Sequence, residues 1–186
     1  MKKIQALFTS ILMIFFITGS SHAEDLTWEE LNAKVTGFYK QQQFTTAAGY
    51  AKEALKLARK SDNIDNLTIS LNNMTQILIE TGKFAEAEQM SKEDIALRQK
   101  TYGVDGIQVA VPWNNLGLVY YFKKKMDDAE FCFQEIVRIN EVVYGKKSAE
   151  IVPSLQKLEK FYKKTENTGE ADKIAARILA LQTGPE

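Results

Sequence analysis

The chain has 186 residues, with 24 basic and 24 acidic side chains, 45% hydrophobic residues and three prolines. That balance speaks against a disordered chain, and the zero net charge speaks against a nucleic-acid binder, which normally carries a basic excess. One histidine, His22, and one cysteine, Cys132, leave no internal disulfide and little material for a zinc site.

The first 23 residues read as a secretory signal peptide. Lys2 and Lys3 supply the positive start, and Ile4 to Thr18 is a nearly unbroken apolar run. Its 15 residues fall short of the roughly 20 that span a bilayer. Ser21-His22-Ala23 puts small residues at the two positions a signal peptidase reads, so cleavage is expected before Glu24. The predicted location is therefore the periplasm of a Gram-negative bacterium, or the outside of the cell. Membrane contact is expected only through an uncleaved signal. Cleavage removes two lysines and His22, leaving 22 basic residues, 24 acidic ones and no histidine. Ser-His and Cys-His nucleophile pairs and histidine proton shuttles go with it.

From Trp28 onward the chain repeats itself. Shifting the sequence by 42 places Leu71-Asn72-Asn73-Met74 on Trp113-Asn114-Asn115-Leu116, and Ala87-Glu88 on Ala129-Glu130. A second shift of 42 places Leu116 on Leu158, Tyr120 on Tyr162 and Ala129 on Ala171, and a shift back by 40 places Phe84 on Phe44. Four units result, spanning about 28–60, 68–101, 110–144 and 152–182 within one domain, 24–186. Each predicts two helices. In the third, Trp113, Leu116, Gly117 and Tyr120 fall on one helical face, Pro112 sits in a tolerant first turn, and Lys123-Lys124-Lys125 breaks the pattern. The second unit breaks at Thr81-Gly82-Lys83, and Gly103 and Gly145 stand where second helices end. Small residues at Ala47, Ala87, Gly117, Ala129 and Ala171 let helices approach, while Phe38, Phe84, Tyr120, Phe133 and Tyr162 fill the gaps.

Trp113-x2-Leu116-Gly117-x2-Tyr120-x8-Ala129-x3-Phe133 resembles the tetratricopeptide repeat signature up to its final proline, where this chain has Glu141. The 42-residue period, with Tyr102-Gly103-Val104-Asp105 leading into Asn114-Asn115-Leu116, resembles the kinesin-light-chain-like subfamily, which usually has His-Pro at Gly106-Ile107. The resemblance implies an all-α, right-handed α-solenoid of about four helix-turn-helix repeats, with the first helix of each pair lining a concave face. Such faces bind peptides or partner helices.

Projecting each first helix gives the candidate binding residues. The second unit offers Asn72, Asn73 and Gln76. The third offers Asn114, Asn115, Leu118, Tyr121 and Phe122, and the fourth Lys157, Lys160 and Lys164. Asparagine pairs with peptide backbone regardless of sequence. Tyr121 and Phe122 are apolar anchors with few rotatable bonds. The lysines favour an acidic partner. The resemblance implies ligand contact at the places of Asn73 and Asn115. The residues alone allow a second reading, in which these asparagines bond neighbouring repeats and the lysines form a solvated face, with Glu159 paired to Lys163. Trp113 and Cys132 read as packing residues.

The expected function is a non-catalytic, exported adaptor or assembly factor that holds a protein or peptide partner, without a cofactor. The alternative is self-assembly into a homo-oligomer through the C-terminal repeat, where Ile178-Leu179-Ala180-Leu181 ends the array without a separate polar capping helix. A hydrolase would rest on carboxylate pairs at Glu86/Glu88, Glu93/Asp94 and Asp127/Asp128, and spacings of one or two do not share a helical face.

Overall fold

The structure, a computed structural model, describes residues 26–183, so the expected signal peptide lies outside the described residues. Eight α-helices follow one another: α1 Trp28–Lys40, α2 Phe44–Ala58, α3 Ile64–Glu80, α4 Phe84–Tyr102, α5 Ala110–Phe122, α6 Met126–Tyr144, α7 Val152–Lys164 and α8 Thr168–Thr183. Single 3-10 turns at Ile107–Val109 and Ala149–Ile151 lead into α5 and α7. No strand occurs among the described residues, and the architecture is an all-α repeat solenoid.

Local sequence sets the ends of these helices. Thr27 caps α1 in a reciprocal box: its hydroxyl accepts from the Glu30 N–H, and the Glu30 carboxylate accepts from the Thr27 N–H. Within each unit the two helices join through a three-residue turn, and its middle residue has a positive φ: Gln42, Gly82, Lys124 and Glu166. The residue after it donates its N–H to a carbonyl five back, as in Lys83 to Leu78 at 2.8 Å and Lys125 to Tyr120 at 2.9 Å. This bond satisfies carbonyls that the ending helix leaves open. Between units the wider loops turn at Gly103 and Gly145, with φ of 82° and 88°.

The expected start of the second unit, near Thr68, lies inside α3. Asn63 caps this helix by accepting from the Asn66 N–H, so it begins at Ile64. In the third and fourth units the equivalent stretch is the 3-10 turn before the helix.

Small residues sit at the crossings. Ala47, Ala87, Gly117, Ala129 and Ala171 are all buried. A β-carbon on Gly117 would lie 3.1 Å from Phe133 and 3.2 Å from Cys132. Polar bonds then tie each unit to the one before. Tyr162 donates to Glu130 at 2.8 Å, and Tyr120 reaches the equivalent Glu88 at 3.4 Å. Arg138 on α6 pairs with Asp105, and Arg177 on α8 pairs with Glu141 and donates to the Lys146 carbonyl. Both hold the loop that precedes a first helix. On one face α1 packs on α3 and α3 on α5, whereas no two second helices pack together comparably. The first helices therefore line the inside of the curve.

Candidate functional site

Two asparagine bonds run along the inner face. The Asn73 amide donates to the Asn32 side-chain carbonyl at 2.7 Å, joining the first and second units. The Asn115 amide donates to the Asn72 side-chain carbonyl at 2.8 Å, joining the second and third. Each bond spans one repeat, from the first asparagine position of one unit to the second position of the next. Asn115 is 4% exposed. It therefore belongs to a joint between repeats and does not face the open groove, which differs from its expected placement. Its side chain is short enough to be covered by the preceding helix, and the carbonyl of Asn72 satisfies it there.

The ladder stops at the last joint. Its next step would run from position 157 to Asn114, and position 157 is lysine. The Asn114 side chain hydrogen-bonds no other described residue, and α5 and α7 do not pack together as α3 and α5 do. The gap opens into a pocket of about 280 Å³ lined by Asn114, Leu118, Tyr121, Phe122, Phe133, Lys157, Lys160, Phe161 and Lys164. The structure thus brings together seven of the sequence-derived residues: Asn114, Leu118, Tyr121, Phe122, Lys157, Lys160 and Lys164. Asn73 and Gln76 line a smaller hollow of about 90 Å³ with Val35, Thr36, Tyr39 and Lys40. Asn72 is half-buried, with its carbonyl committed to Asn115.

The floor of the larger pocket is aromatic. Tyr121 meets Phe122 and Phe161 edge-on, with ring centroids 5.6 and 6.5 Å apart, and Phe84 stacks on Phe122 at 5.3 Å. Phe133 and Phe161 were not among the sequence-derived residues. Phe133 reads in the sequence as a packing residue and Phe161 was not singled out; both are buried, and they complete the floor. The signal that could have found them is the pairing of large Phe133 and Phe161 behind the lysine stripe at one joint.

The rim is cationic. Among the described residues, no carboxylate lies within ion-pair distance of Lys157, Lys160 or Lys164, whereas the neighbouring Lys163 is held by Glu159 at 2.6 Å. Lys157, Lys160 and Lys164 share one face of α7. Burial in the groove holds Lys157 below the usual lysine range. The Lys164 and Lys124 ammonium groups each lie 5.8 Å from the Tyr121 ring centroid. Three cations without counter-ions over an apolar floor suit an anionic ligand with an apolar part. No carboxylate lines the pocket.

Other chemistry-bearing groups lie elsewhere. Cys132 is buried on α6, and burial pushes its thiol up to about 12, which keeps it unreactive. Trp113 stands edge-on to Phe131 at 5.7 Å on the outer side, lining a shallow groove between α4 and α6.

Comparison with known proteins agrees with this architecture. Residues 68–107, covering most of α3 and all of α4, match the tetratricopeptide repeat family model. The matched unit is the second, although the signature spacing was clearest in the third. Among solved structures, the chain is similar to BtubC (BKLC) from P. vanneervenii. The TM-score is 0.70 at 19% identity, covering 85% of this chain and 63% of that one. It is similar to a Podosopora anserina kinesin light chain with nearly identical TPR-like repeats, at a TM-score of 0.70 and 14% identity, covering 83% and 74%. The apo form of RapI follows at 0.69 and 17%, covering 89% and 59%. The chain thus spans less than two thirds of the length of BtubC and of RapI. At these identities the likeness is one of fold. No curated protein matches the sequence.

Proposed function

We propose that this chain, a tetratricopeptide repeat array of the kinesin-light-chain-like kind, is an exported, non-catalytic adaptor that holds an acidic segment of a partner protein on its inner face. Repeat arrays of this type are protein-interaction modules, with partners lying along the curve the first helices make. The observation that carries the reading is the pocket between α5 and α7, where Lys157, Lys160 and Lys164 stand without counter-ions among the described residues over Tyr121, Phe122 and Phe161. An acidic chain laid there neutralises the rim and buries apolar surface on the floor. Export rests on the signal peptide expected over residues 1–23, and the location we assign is the periplasm or the outside of the cell.

Two measurements test this. A photo-crosslinking residue at Tyr121 is expected to give a discrete protein adduct in envelope fractions of the native host, whereas one at Phe131 on the outer side gives none. Adducts from Phe131 alone, or from neither position, contradict the inner-face assignment. Retention of residues 1–23 in the isolated protein contradicts export by cleavage.

A second reading, self-association, has its own observation. Leu55, Ile95 and Val137 occupy one register position on α2, α4 and α6 and are 8%, 7% and 7% exposed, each covered by the following unit. Leu179 is the equivalent on α8 and is 61% exposed. If two chains pair there, sedimentation shows a dimer that Leu179→Glu dissociates. A strict monomer at high concentration removes this reading.

A further inference from the structure

The asparagine ladder breaks at the last joint, where position 157 is lysine. The first two joints are closed by Asn73 to Asn32 and Asn115 to Asn72. The third has the acceptor, Asn114, but a lysine in the donor's place, and the pocket opens there. We infer that the partner's own backbone completes the ladder: a peptide group of an extended acidic segment pairs with the Asn114 side chain, and a neighbouring carboxylate of that segment pairs with Lys157. This rests on the inner-face reading above and adds to it a docking point and a register.

Four observations carry it. Asn114 is half-buried and lines the pocket, and its side chain bonds no other described residue, so its amide keeps both donor and acceptor capacity for a peptide group. The asparagine next to the missing step, Asn115, is already committed to Asn72, so Asn114 is the uncommitted asparagine at this joint. Lys157, at the vacant donor position, has no carboxylate partner among the described residues, and Lys160 and Lys164 extend the same charge along α7. Finally, an extended strand alternates its side chains. Its apolar residues can then enter toward Leu118, Tyr121 and Phe161 while its acidic residues stay at the lysine rim.

The inference separates two roles that alanine scanning of the inner face would otherwise merge. Asn115 and Asn73 are joint residues, so changing them loosens the array. Asn114 and Lys157 are ligand residues, so changing them leaves the free array intact. Position 157 has a further property. Asparagine there is expected to donate to Asn114, which extends the ladder and shuts the pocket.

The test uses a fluorescein-labelled, C-terminally amidated peptide of alternating glutamate and leucine, read by anisotropy, beside thermal unfolding of each variant. Asn114→Ala is expected to weaken probe binding about tenfold, the loss of one or two backbone hydrogen bonds, with an unchanged melting midpoint. Lys157→Asn is expected to weaken binding at least as much and to raise the midpoint. Lys157→Met is expected to weaken binding without raising it. A peptide with glutamine for glutamate is expected to bind at least tenfold more weakly than the acidic probe. Probe binding that survives both Asn114→Ala and Lys157→Asn overturns the ladder inference alone. Failure of the wild-type protein to bind the acidic probe overturns it together with the inner-face reading.

Discussion

The Asn115 amide donates to the Asn72 carbonyl at 2.8 Å across the joint between the second and third units, inside a contact that leaves Asn115 4% exposed. The bond matches α5 to α3 in register. Asn115→Ala leaves the half-buried Asn72 carbonyl without its donor and opens a small void, at a cost of about 1–2 kcal/mol. Urea denaturation is expected to show that loss. An unchanged midpoint contradicts the joint role.

Asp94 gives the array an unusual dependence on pH. It stands on α4 at the position held by Ala54, Ile136 and Ile178 in the other units, and it is 1% exposed. One carboxylate oxygen accepts from Arg98 at 2.7 Å and the other has no partner. Burial outweighs Arg98 and raises the group from 3.8 to about 6. The folded protein therefore binds this proton more tightly than the unfolded chain does. The contribution to stability is full below about pH 4 and is lost as pH rises through about 6. Its size is on the order of 2–3 kcal/mol. Asp94→Asn is expected to stabilise the protein at pH 7.5 and to change little at pH 4. Equal effects at both values contradict the assignment.

Glu88 acts in the opposite direction. Hydrogen bonds from Lys123 and Lys92 lower it from 4.5 to about 2. Its contribution is present above pH 4.5 and is lost as pH falls toward 2. Glu88→Gln is expected to lower stability at neutral pH and to have little effect near pH 2, in guanidinium titrations at the two values.

The positive-φ turns offer a gain. Gln42 and Glu166 occupy the left-handed position that Gly82 fills in the second unit, with φ of 58° and 60°. Glycine removes the side-chain penalty there, so Gln42→Gly and Glu166→Gly are each expected to stabilise by about 0.5–1 kcal/mol. Gly82→Ala is expected to cost a similar amount. Calorimetric melting distinguishes the signs.

Gly106 is constrained by space. An added β-carbon would lie 2.7 Å from the Tyr102 carbonyl oxygen, which is backbone and cannot rotate away. Gly106→Ala is expected to displace the loop before α5 and cost about 1–3 kcal/mol. A neutral result in urea denaturation contradicts this packing.

Much of this was legible in the sequence because helical periodicity and turn residues are local. Gly82, Gly103 and Gly145 marked breaks that the structure keeps, and the 42-residue shift aligned Tyr120 with Tyr162, which make matching bonds to Glu88 and Glu130. The turns at Gln42 and Glu166 were silent because neither residue advertises a left-handed backbone. The start of α3 was hidden because only the Asn63 cap moves it to Ile64. Helical projection placed Asn114 and Asn115 together on the inner side, one residue apart. It could not tell which would be sealed by α3, because that depends on how closely two first helices approach. The same limit applies to Phe133, whose packing role was expected, and to Phe161, which was not singled out; that both line the pocket follows from the gap between α5 and α7.

The most direct test of the central claim is a salt titration of acidic-probe binding to the wild-type protein and to a Lys157→Gln, Lys160→Gln, Lys164→Gln variant. The wild type is expected to bind and to weaken steeply as ionic strength rises from 0.05 to about 0.5 M, while the variant binds at least tenfold more weakly and hardly responds to salt. Equal affinity and equal salt dependence in the two proteins would contradict the α5–α7 groove as the place where a partner is held.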